Sequence, residues 1–176
     1  MKNAIILFTL LVAAHAVAKH PPAPKTPPSR FKFKLPDGWV DKTPAAAKGV
    51  YVMAFDENDH LAFQAKVAPG SEPVTQEFLE KYASESQKAV KRITGAELKV
   101  IKKDGFDVDG TISARFIFET PPPADAAPET PPARQLQYYV PAGDQHAILT
   151  FTAPADSFDK WQPLFDKTAR ATVIRK

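Results

Sequence analysis

The sequence predicts an α+β fold in which helices sandwich an antiparallel β-sheet of about six or seven strands. Several segments alternate apolar and polar residues or are apolar throughout, as β-strands are. Short turns rich in glycine, proline and aspartate join most of them, and strands connected in this way usually pair antiparallel. Two further segments, one central and one C-terminal, carry apolar residues at helical spacing.

Residues 1–18 are typical of a secretory signal peptide. A lysine near the start precedes an apolar run from Ile5 to Val12, and the small residues that follow offer cleavage after Ala16 or Ala18. The run is short for a membrane span, and no second long apolar run follows it. We therefore expect an exported protein, periplasmic or extracellular, with no transmembrane segment after signal cleavage.

Residues 19–30 hold five prolines together with lysines and small polar residues. Such a segment cannot form a packed core, so we expect an extended, semi-rigid tether. One α+β domain is then predicted over residues 31–176. Because the chain has no cysteine, this domain must be stabilised by its core alone, and zinc–thiolate sites, thiol catalysis and a lipid-modified cysteine are excluded.

The domain is predicted to open with a half-buried strand at 31–35, whose apolar residues alternate with two lysines. The turn Pro36-Asp37-Gly38 ends this strand, and Trp39 returns towards the core. A strand at 50–55 is apolar on both faces, which predicts a central position with cover on both sides. A hairpin loop at 56–59 leads to an alternating return strand at 61–67.

Residues 74–94 have apolar side chains at every third or fourth position, as in an amphipathic helix. Thr75 is expected to cap its start and Gly95 to end it. Glu77 lies in the first turn and Lys91-Arg92 in the last, which suits the helix dipole.

Strands are predicted again at 98–101, 112–118, 134–140 and 147–151, with turns at 104–105 and 109–110. Segment 147–151 is apolar on both faces and is expected at the centre of the sheet, whereas 31–35 and 134–140 alternate and are expected to face water on one side.

Residues 119–133 carry six prolines and are expected to form a disordered or polyproline-like loop. A C-terminal amphipathic helix is predicted to begin after Asp156 or Ser157. Pro163 would either start its main part or kink it.

Three segments carry a family resemblance: Phe31-x-Phe33-x-Leu35-Pro36-x-Gly38-Trp39, the helix over 78–93 that follows a hairpin, and the closing segment 158–165. With them, residues 30–174 resemble the PsbP-like superfamily, which also contains DcrB-type and LpqN-type envelope proteins. The resemblance implies a PsbP-like α/β/α sandwich. It also implies a non-catalytic role, because the members are mostly photosystem accessory subunits, envelope proteins and a small nuclear-import factor that binds a GTPase.

No functional residue follows from this resemblance, since no binding motif matches, and the loop at 119–133 is not part of the family pattern. No Gly-x-Ser-x-Gly elbow or phosphate loop is present. Acidic loops that begin at Asp56 and Asp107 lack the glycine or the final acid of a calcium-binding EF-hand. We therefore expect no enzyme and no cofactor.

A metal-assisted hydrolase is one further function that the sequence leaves open. It needs His60 and His146 within ligand reach of each other, with an acid from Asp56, Asp59 or Asp144. No short ligand spacing in the sequence supports it.

The candidate interaction surface comprises Tyr139, Lys99, Lys102 and Lys103. The lysines continue a basic zone from the end of the central helix. This zone would either form a solvated face or contact an acidic partner or an anionic envelope surface. Tyr139 would anchor a partner if it lay on the open side of its strand. The zone lacks interleaved aromatics and the net charge is only +3, which excludes nucleic acid.

The sequence thus predicts an exported, non-catalytic accessory or protein-interaction domain whose partner is an envelope or secreted protein. The alternative is a carrier or sensor of a small apolar ligand held between helix and sheet. That alternative predicts a cavity lined by residues such as Phe63, Phe78 and Phe116.

Overall fold

The computed structural model describes residues 29–43, 50–56, 61–122 and 130–175. The strands are β1 (Phe31–Lys32), β2 (Val40–Asp41), β3 (Val50–Asp56), β4 (Leu61–Pro69), β5 (Lys99–Val108), β6 (Thr111–Thr120), β7 (Ala133–Ala142), β8 (Gln145–Pro154) and β9 (Val173–Ile174). The helices are α1 (Gln76–Thr94) and α2 (Phe158–Arg170). The expected signal peptide and tether residues 19–28 lie outside the described residues.

Seven strands form one antiparallel sheet in the order β2-β3-β4-β8-β7-β6-β5. Helix α1 packs on one face, where Phe78 meets Phe116 in a common core. Helix α2 packs on the opposite face, where Phe165 meets Phe151. We refer to these as the α1 face and the α2 face. This arrangement is the predicted α/β/α sandwich, with the predicted number of strands in the main sheet.

The opening strand differs from the prediction. It is only two residues long and lies outside the main sheet, because Phe31 and Lys32 pair with Ile174 and Val173. The C-terminal partner is too short to show periodicity in the sequence. Arg30, which we assigned to the tether, accepts a hydrogen bond at its carbonyl oxygen from the amide of Arg175 at 2.7 Å and therefore belongs to the fold.

Trp39 returns to the core as predicted. The amide of Trp39 donates to the carbonyl oxygen of Pro36 at 3.2 Å, which closes the turn between them. The indole is then buried in the core on the α2 face.

The predicted turn at 104–105 is wrong, because β5 continues through it. Gly105 pairs with Ala114 in the long β5–β6 hairpin, and this pairing outweighs the local turn preference of an Asp-Gly sequence. The second Asp-Gly does form the predicted turn. Asp109 and Gly110 both have positive φ, at 51° and 74°, as a two-residue type I′ hairpin requires.

Strand β7 is not open to water on one side, contrary to the prediction. Residues 135–140 are all buried, including Gln135, Gln137 and Tyr139 on the α1 face. Helix α1 lies over this face, where Phe78 contacts Tyr139 and Tyr82 donates a hydrogen bond to Gln137. Sequence alternation alone could not show that this face is covered.

The strand positions match the prediction in part. Strand β8, which contains residues 147–151, is the central strand of the sheet. Strand β3 lies second from one edge, because only the two-residue strand β2 pairs beyond it. The proline-rich segment joins paired strands, since Thr120 pairs with Ala133, and its residues 123–129 lie outside the described part of the chain.

Both helices follow from local chemistry. Thr75 Oγ1 accepts a hydrogen bond from the amide of Phe78 at 3.1 Å, and Gly95 ends α1 in the left-handed conformation, as predicted. Helix α2 runs from Phe158 through Pro163 to Arg170 without interruption. Ser157 occupies its N-cap position but makes no side-chain capping bond.

Candidate interaction surface

The three candidate lysines lie on β5, an outer strand of the sheet. Each is close to a carboxylate: Lys99 Nζ lies 3.8 Å from Glu119, Lys102 Nζ lies 3.2 Å from Asp104, and Lys103 pairs with Glu80. A partner would have to compete with these local carboxylates. One member of each pair is exposed, so solvent screening keeps the contribution of these pairs to stability small.

A β-bulge lies among these lysines. The pairing of β5 with β6 shifts between Val100 and Lys102, which leaves Ile101 without an opposite residue and exposed. Bulges and lysines on an outer strand hinder pairing with a strand of another molecule. The three lysines therefore have a structural explanation as protection of the sheet edge.

The end of α1 offers cations that are not neutralised. Lys88 and Arg92 are exposed, one helical turn apart, and form no ion pair within the described part of the chain. Between them and the start of β5 lies a shallow hollow of about 220 Å³, lined by Gln87, Lys88, Lys91, Glu97 and Leu98. Ile93 adds an apolar side chain that is 43% exposed. Lys91 in turn pairs with Glu97, its Nζ lying 3.2 Å from the carboxylate. We call Lys88, Lys91, Arg92 and Ile93, with this hollow, the α1-end surface.

Tyr139 does not lie on an open side of its strand, and the structure removes it from the candidate surface. Its side chain is 5% exposed, and its ring centroid lies 4.6 Å from that of Phe78 and 4.8 Å from that of His146. The hydroxyl oxygen accepts a hydrogen bond from the amide of Glu72 at 2.7 Å. Burial raises the pKa of Tyr139. The residue is part of the packing beneath α1.

Of the two histidines of the metal hypothesis, the structure describes only His146, which lies on β8. His146 lies opposite Ala68, near the end of this strand, and its Nδ1 contacts the carbonyl oxygen of Gly70. His60 lies outside the described residues and precedes Leu61, the first residue of β4. About 23 Å of strand separates Leu61 from Ala68. Within the described residues, no group of three or more ligand-type side chains is placed to hold a metal.

The three phenylalanines of the carrier hypothesis do not line one cavity. Phe78 and Phe116 lie in the core under α1, whereas Phe63 lies on the opposite face of the sheet in the core under α2. The space between α1 and the sheet is occupied by stacked rings. The centroids of Tyr82 and Phe116 are 4.6 Å apart, and those of Phe78 and Tyr82 are 5.7 Å apart.

A charged network that we did not predict joins the outer strand β5 to α2. Arg115 on β6 donates from Nε and Nη2 to the two carboxylate oxygens of Asp104, at 2.8 and 2.6 Å. Its Nη1 lies 3.5 Å from the carboxylate of Asp166 on α2, and Tyr138 donates its hydroxyl to the same carboxylate. The sequence signal was Arg115 itself, the single charged residue in the predicted strand 112–118.

The surroundings of this network favour the ionised forms of Arg115 and Asp104. Hydrogen bonding to Asp104 raises the pKa of Arg115, against the effect of burial. For Asp104, burial opposes ionisation, but the hydrogen bonds from Arg115 and Lys102 outweigh it and lower the pKa. Burial, followed by the hydrogen bond to Asp166, raises the pKa of Tyr138. The phenol therefore stays protonated, and the network serves to hold α2 against the sheet.

No helix in the described part of the chain is long and apolar enough to cross a membrane.

No family model matches the sequence, and no curated protein matches it. Several solved structures do match. Cyanobacterial PsbP (CyanoP) from Synechocystis sp. PCC 6803 is 15% identical, with 82% of this chain and 86% of that chain covered and a TM-score of 0.63. LpqN of Mycobacterium tuberculosis, described as involved in cell envelope biogenesis, is 14% identical, with 83% of each chain covered and a TM-score of 0.53.

A protein from Bacteroides thetaiotaomicron is 10% identical, with 84% of this chain and 46% of that chain covered and a TM-score of 0.52. At such low identity these likenesses concern the fold alone. They agree with the order of elements described above, a helix on each face of an antiparallel sheet. The chain has the PsbP-like fold.

Proposed function

We propose that this protein is an exported, non-catalytic accessory or protein-interaction domain of the cell envelope. The observation that carries the proposal is the fold, which the chain shares with CyanoP and with LpqN, a protein involved in cell envelope biogenesis. The secretory pattern of residues 1–18 supports export. Periplasmic and extracellular locations both agree with this pattern.

Contact with the partner is assigned to the α1-end surface in preference to β5. Lys88 and Arg92 have no carboxylate partner among the described residues, whereas Lys99, Lys102 and Lys103 each do. Ile93 supplies the exposed apolar side chain that an interface needs at its centre. A fitting partner carries acidic side chains around a small apolar group, and electrostatic attraction would speed its approach.

The packing under α1 argues against the alternative of an apolar-ligand carrier. Tyr82, Phe116 and Tyr139 form ring contacts with one another or with Phe78 throughout the region where such a ligand would lie. A ligand there would have to displace aromatic rings from a close-packed layer, which costs more than filling an existing void.

Export is tested by fractionating the host cells and determining the N-terminal residue of the full-length gene product after expression. We expect recovery from the periplasm or medium, with a new N-terminus after Ala16 or Ala18. Protein retained in the cytoplasm with Met1 intact would contradict the proposal.

Partner binding is tested by placing a photoreactive side chain at Ile93 and crosslinking in the living host. We expect one envelope protein to be captured repeatedly. Reversing the nearby charges in Lys88→Glu/Arg92→Glu should abolish its capture, whereas Lys34→Glu, another exposed lysine, should leave it unchanged. Equal capture in the charge-reversal variant and in Lys34→Glu would count against this function. So would a hydrolase activity that purifies together with the protein.

A further inference from the structure

The positive charge of the chain is concentrated near the two ends of the domain. Residues 19–34 contain five basic residues and residues 167–176 contain four, and neither segment contains an acid. Residues 35–166 contain 13 basic and 20 acidic residues, which gives them a formal charge of −7 with histidine neutral. The small net charge of the whole chain therefore conceals a strong separation of charge.

Strands β1 and β9 bring the two basic segments together. Lys32 lies directly opposite Val173 in this two-stranded ribbon. The pairing extends one residue beyond the strands, because the amide of Arg175 donates to the carbonyl oxygen of Arg30 at 2.7 Å. Each end of the domain thus contributes cations to the same ribbon.

The cations lie on the outer side of this ribbon. Phe31 and Ile174 are paired with each other and pack into the core under α2. Successive residues of a strand point to opposite sides, and residues directly opposite on paired strands point to the same side. The residues before and after this inward pair therefore share the outer side, and the alternation continues beyond β1 to an exposed lysine. We call Arg30, Lys32, Lys34, Val173 and Arg175 the ribbon surface.

Most cations of the ribbon surface are not neutralised. Three of the four are exposed and form no ion pair within the described ranges, namely Lys32, Lys34 and Arg175. Arg30 lies 3.3 Å from Asp144, but both side chains are exposed, so this pair is weak. A second carboxylate, that of Asp109, lies beside the ribbon and accepts a hydrogen bond from the amide of Ile174 at 2.8 Å. The positive charge of the surface exceeds that of its acidic neighbours.

Further cations flank the ribbon surface. Lys167 and Arg170 are exposed in the last turn of α2, and only two residues separate this helix from β9. Lys19 and Lys25 precede β1 in the sequence. Val173 adds an apolar side chain that is 48% exposed. Clusters of lysine and arginine without acids are typical of segments that bind a surface of opposite charge.

We propose that the ribbon surface docks this protein onto an anionic lipid membrane. A lipid surface presents many negative headgroups without a fixed pattern, which suits cations contributed by two strands, a helix end and a proline-rich segment. Each lysine or arginine near such a surface strengthens binding roughly fivefold. Val173 would reach into the headgroup layer beside them. A folded acidic partner would instead need carboxylates placed to match each cation.

The distribution of charge also sets the orientation of the docked domain. The negative charge of residues 35–166 is repelled by an anionic membrane, so the ribbon surface is the side that faces it. The α1-end surface lies at the other end of the sheet. Leu98, which lines its hollow, precedes the ten residues of β5, and Asp109 follows them beside the ribbon. About 30 Å of strand lies between them. Docking therefore leaves the α1-end surface free and does not depend on its partner.

Sedimentation with lipid vesicles tests this inference. The processed chain that begins at Lys19 is used, because the apolar run from Ile5 to Val12 would bind vesicles by itself. We expect it to sediment with vesicles containing about one third phosphatidylglycerol and to stay in solution with pure phosphatidylcholine. Binding should fall at least about tenfold when salt is raised from about 0.1 M to about 0.5 M. Equal binding to both vesicles, or none to the anionic ones, would overturn the proposal, even if an acidic protein bound the ribbon surface instead.

Charge-reversal variants locate the contact. Lys32→Glu/Arg175→Glu should weaken binding to the anionic vesicles at least about tenfold. The matched control Lys88→Glu/Arg92→Glu changes the net charge equally at the other end of the sheet, beyond the range of screened charges, and should leave vesicle binding nearly unchanged. Equal loss in both variants would show that net charge alone drives binding and would overturn the assignment to the ribbon surface.

The two proposals fail separately in these variants. Capture of the envelope partner should depend on Lys88 and Arg92, whereas vesicle binding should depend on Lys32 and Arg175. Circular dichroism checks the fold of each variant. If the reversal disturbs β1 and β9, the milder Lys32→Gln/Arg175→Gln should still weaken vesicle binding at least about fivefold. Unchanged vesicle binding in a natively folded ribbon variant would overturn the proposal.

Discussion

Arg115 donates two parallel hydrogen bonds to Asp104, from Nε to Oδ1 at 2.8 Å and from Nη2 to Oδ2 at 2.6 Å. The Arg115 side chain is 13% exposed, and its remaining Nη1 faces Asp166 at 3.5 Å. Paired, charge-assisted bonds of this geometry are the strong ones among side-chain contacts. One arginine thus connects the outer strand β5, its neighbour β6 and the helix α2.

Replacing Arg115 by methionine is expected to destabilise the fold. The variant keeps the bulk of the side chain but removes the cation paired with Asp166 and leaves Asp104 with Lys102 alone, so the free energy of unfolding should fall by about 2–4 kcal/mol. Urea denaturation measures this change. Arg92→Met, at an exposed arginine without an ion pair among the described residues, should stay within about 0.5 kcal/mol of the original. Equal stabilities of the two variants would refute the role of Arg115.

Asp104 is expected to make the stability depend on pH in the acid range. Burial alone would raise the pKa of Asp104 in the folded state. Hydrogen bonds from Arg115 and Lys102 stabilise the ionised carboxylate and outweigh burial, so the pKa is lowered. The unfolded chain then binds the proton more readily. The contribution of Asp104 is therefore complete above its ordinary pKa of about 4 and is lost as the pH falls through the lower folded-state value.

This dependence can be measured by comparing the original protein with Asp104→Asn. The difference in unfolding free energy should be largest above about pH 5 and should shrink towards about pH 2. Asparagine does not titrate, so it removes the linkage while keeping a similar shape. A difference that stays constant over this range would contradict the assignment.

The parts of the fold that could be predicted from sequence are those set by neighbouring residues. Thr75 and Gly95 fixed the ends of α1 to within a residue or two, because capping uses the backbone groups of the next turn. The Asp109-Gly110 hairpin was predictable for the same reason, since both residues accept positive φ. The pairing of Phe31 with Ile174 involves the two ends of the domain, and no local pattern reveals it.

The sequence predicted which residues the candidate site would contain, but it did not predict their ion-pair partners or their burial. Lys99 and Lys102 are exposed as basic residues usually are, and Lys103 is half-buried. The partner of Lys102 is its near neighbour Asp104 on β5, but the partners of Lys99 and Lys103 come from β6 and α1. The sequence could not show whether Tyr139 lies on a covered or an open face, because the apolar–polar alternation of the strand is the same in both cases. Helix α1 covers this face of the strand and therefore buries Tyr139. It also buries Gln135 and Gln137, which the alternation predicted to face water.

Trp39 is expected to matter for stability and not for binding. Its indole is buried in the core on the α2 face, so Trp39→Ala should lower the unfolding free energy by about 3–5 kcal/mol. The adjacent Val40 is exposed, and Val40→Ala should cost less than about 0.5 kcal/mol. Thermal unfolding measures both. Partner capture lost in Trp39→Ala at an unchanged melting temperature would contradict this assignment.

Ser86 is a buried polar residue whose removal should stabilise the protein. It lies on the inner side of α1, and its hydroxyl has no hydrogen-bond partner among the described residues. Ser86→Ala relieves the unpaired group and also replaces serine by the best helix former, so a gain of about 1–2 kcal/mol is expected. Ser84, exposed on the same helix, is the matched control.

Ser84→Ala changes helix propensity alone, so its expected gain is only about 0.5 kcal/mol. Urea denaturation of the two variants separates the contributions, since their difference reports the cost of the buried hydroxyl. If Ser86→Ala gains no more than Ser84→Ala, the hydroxyl of Ser86 has a partner in solution. A loss of stability in Ser86→Ala would show that the void left by the hydroxyl outweighs both effects.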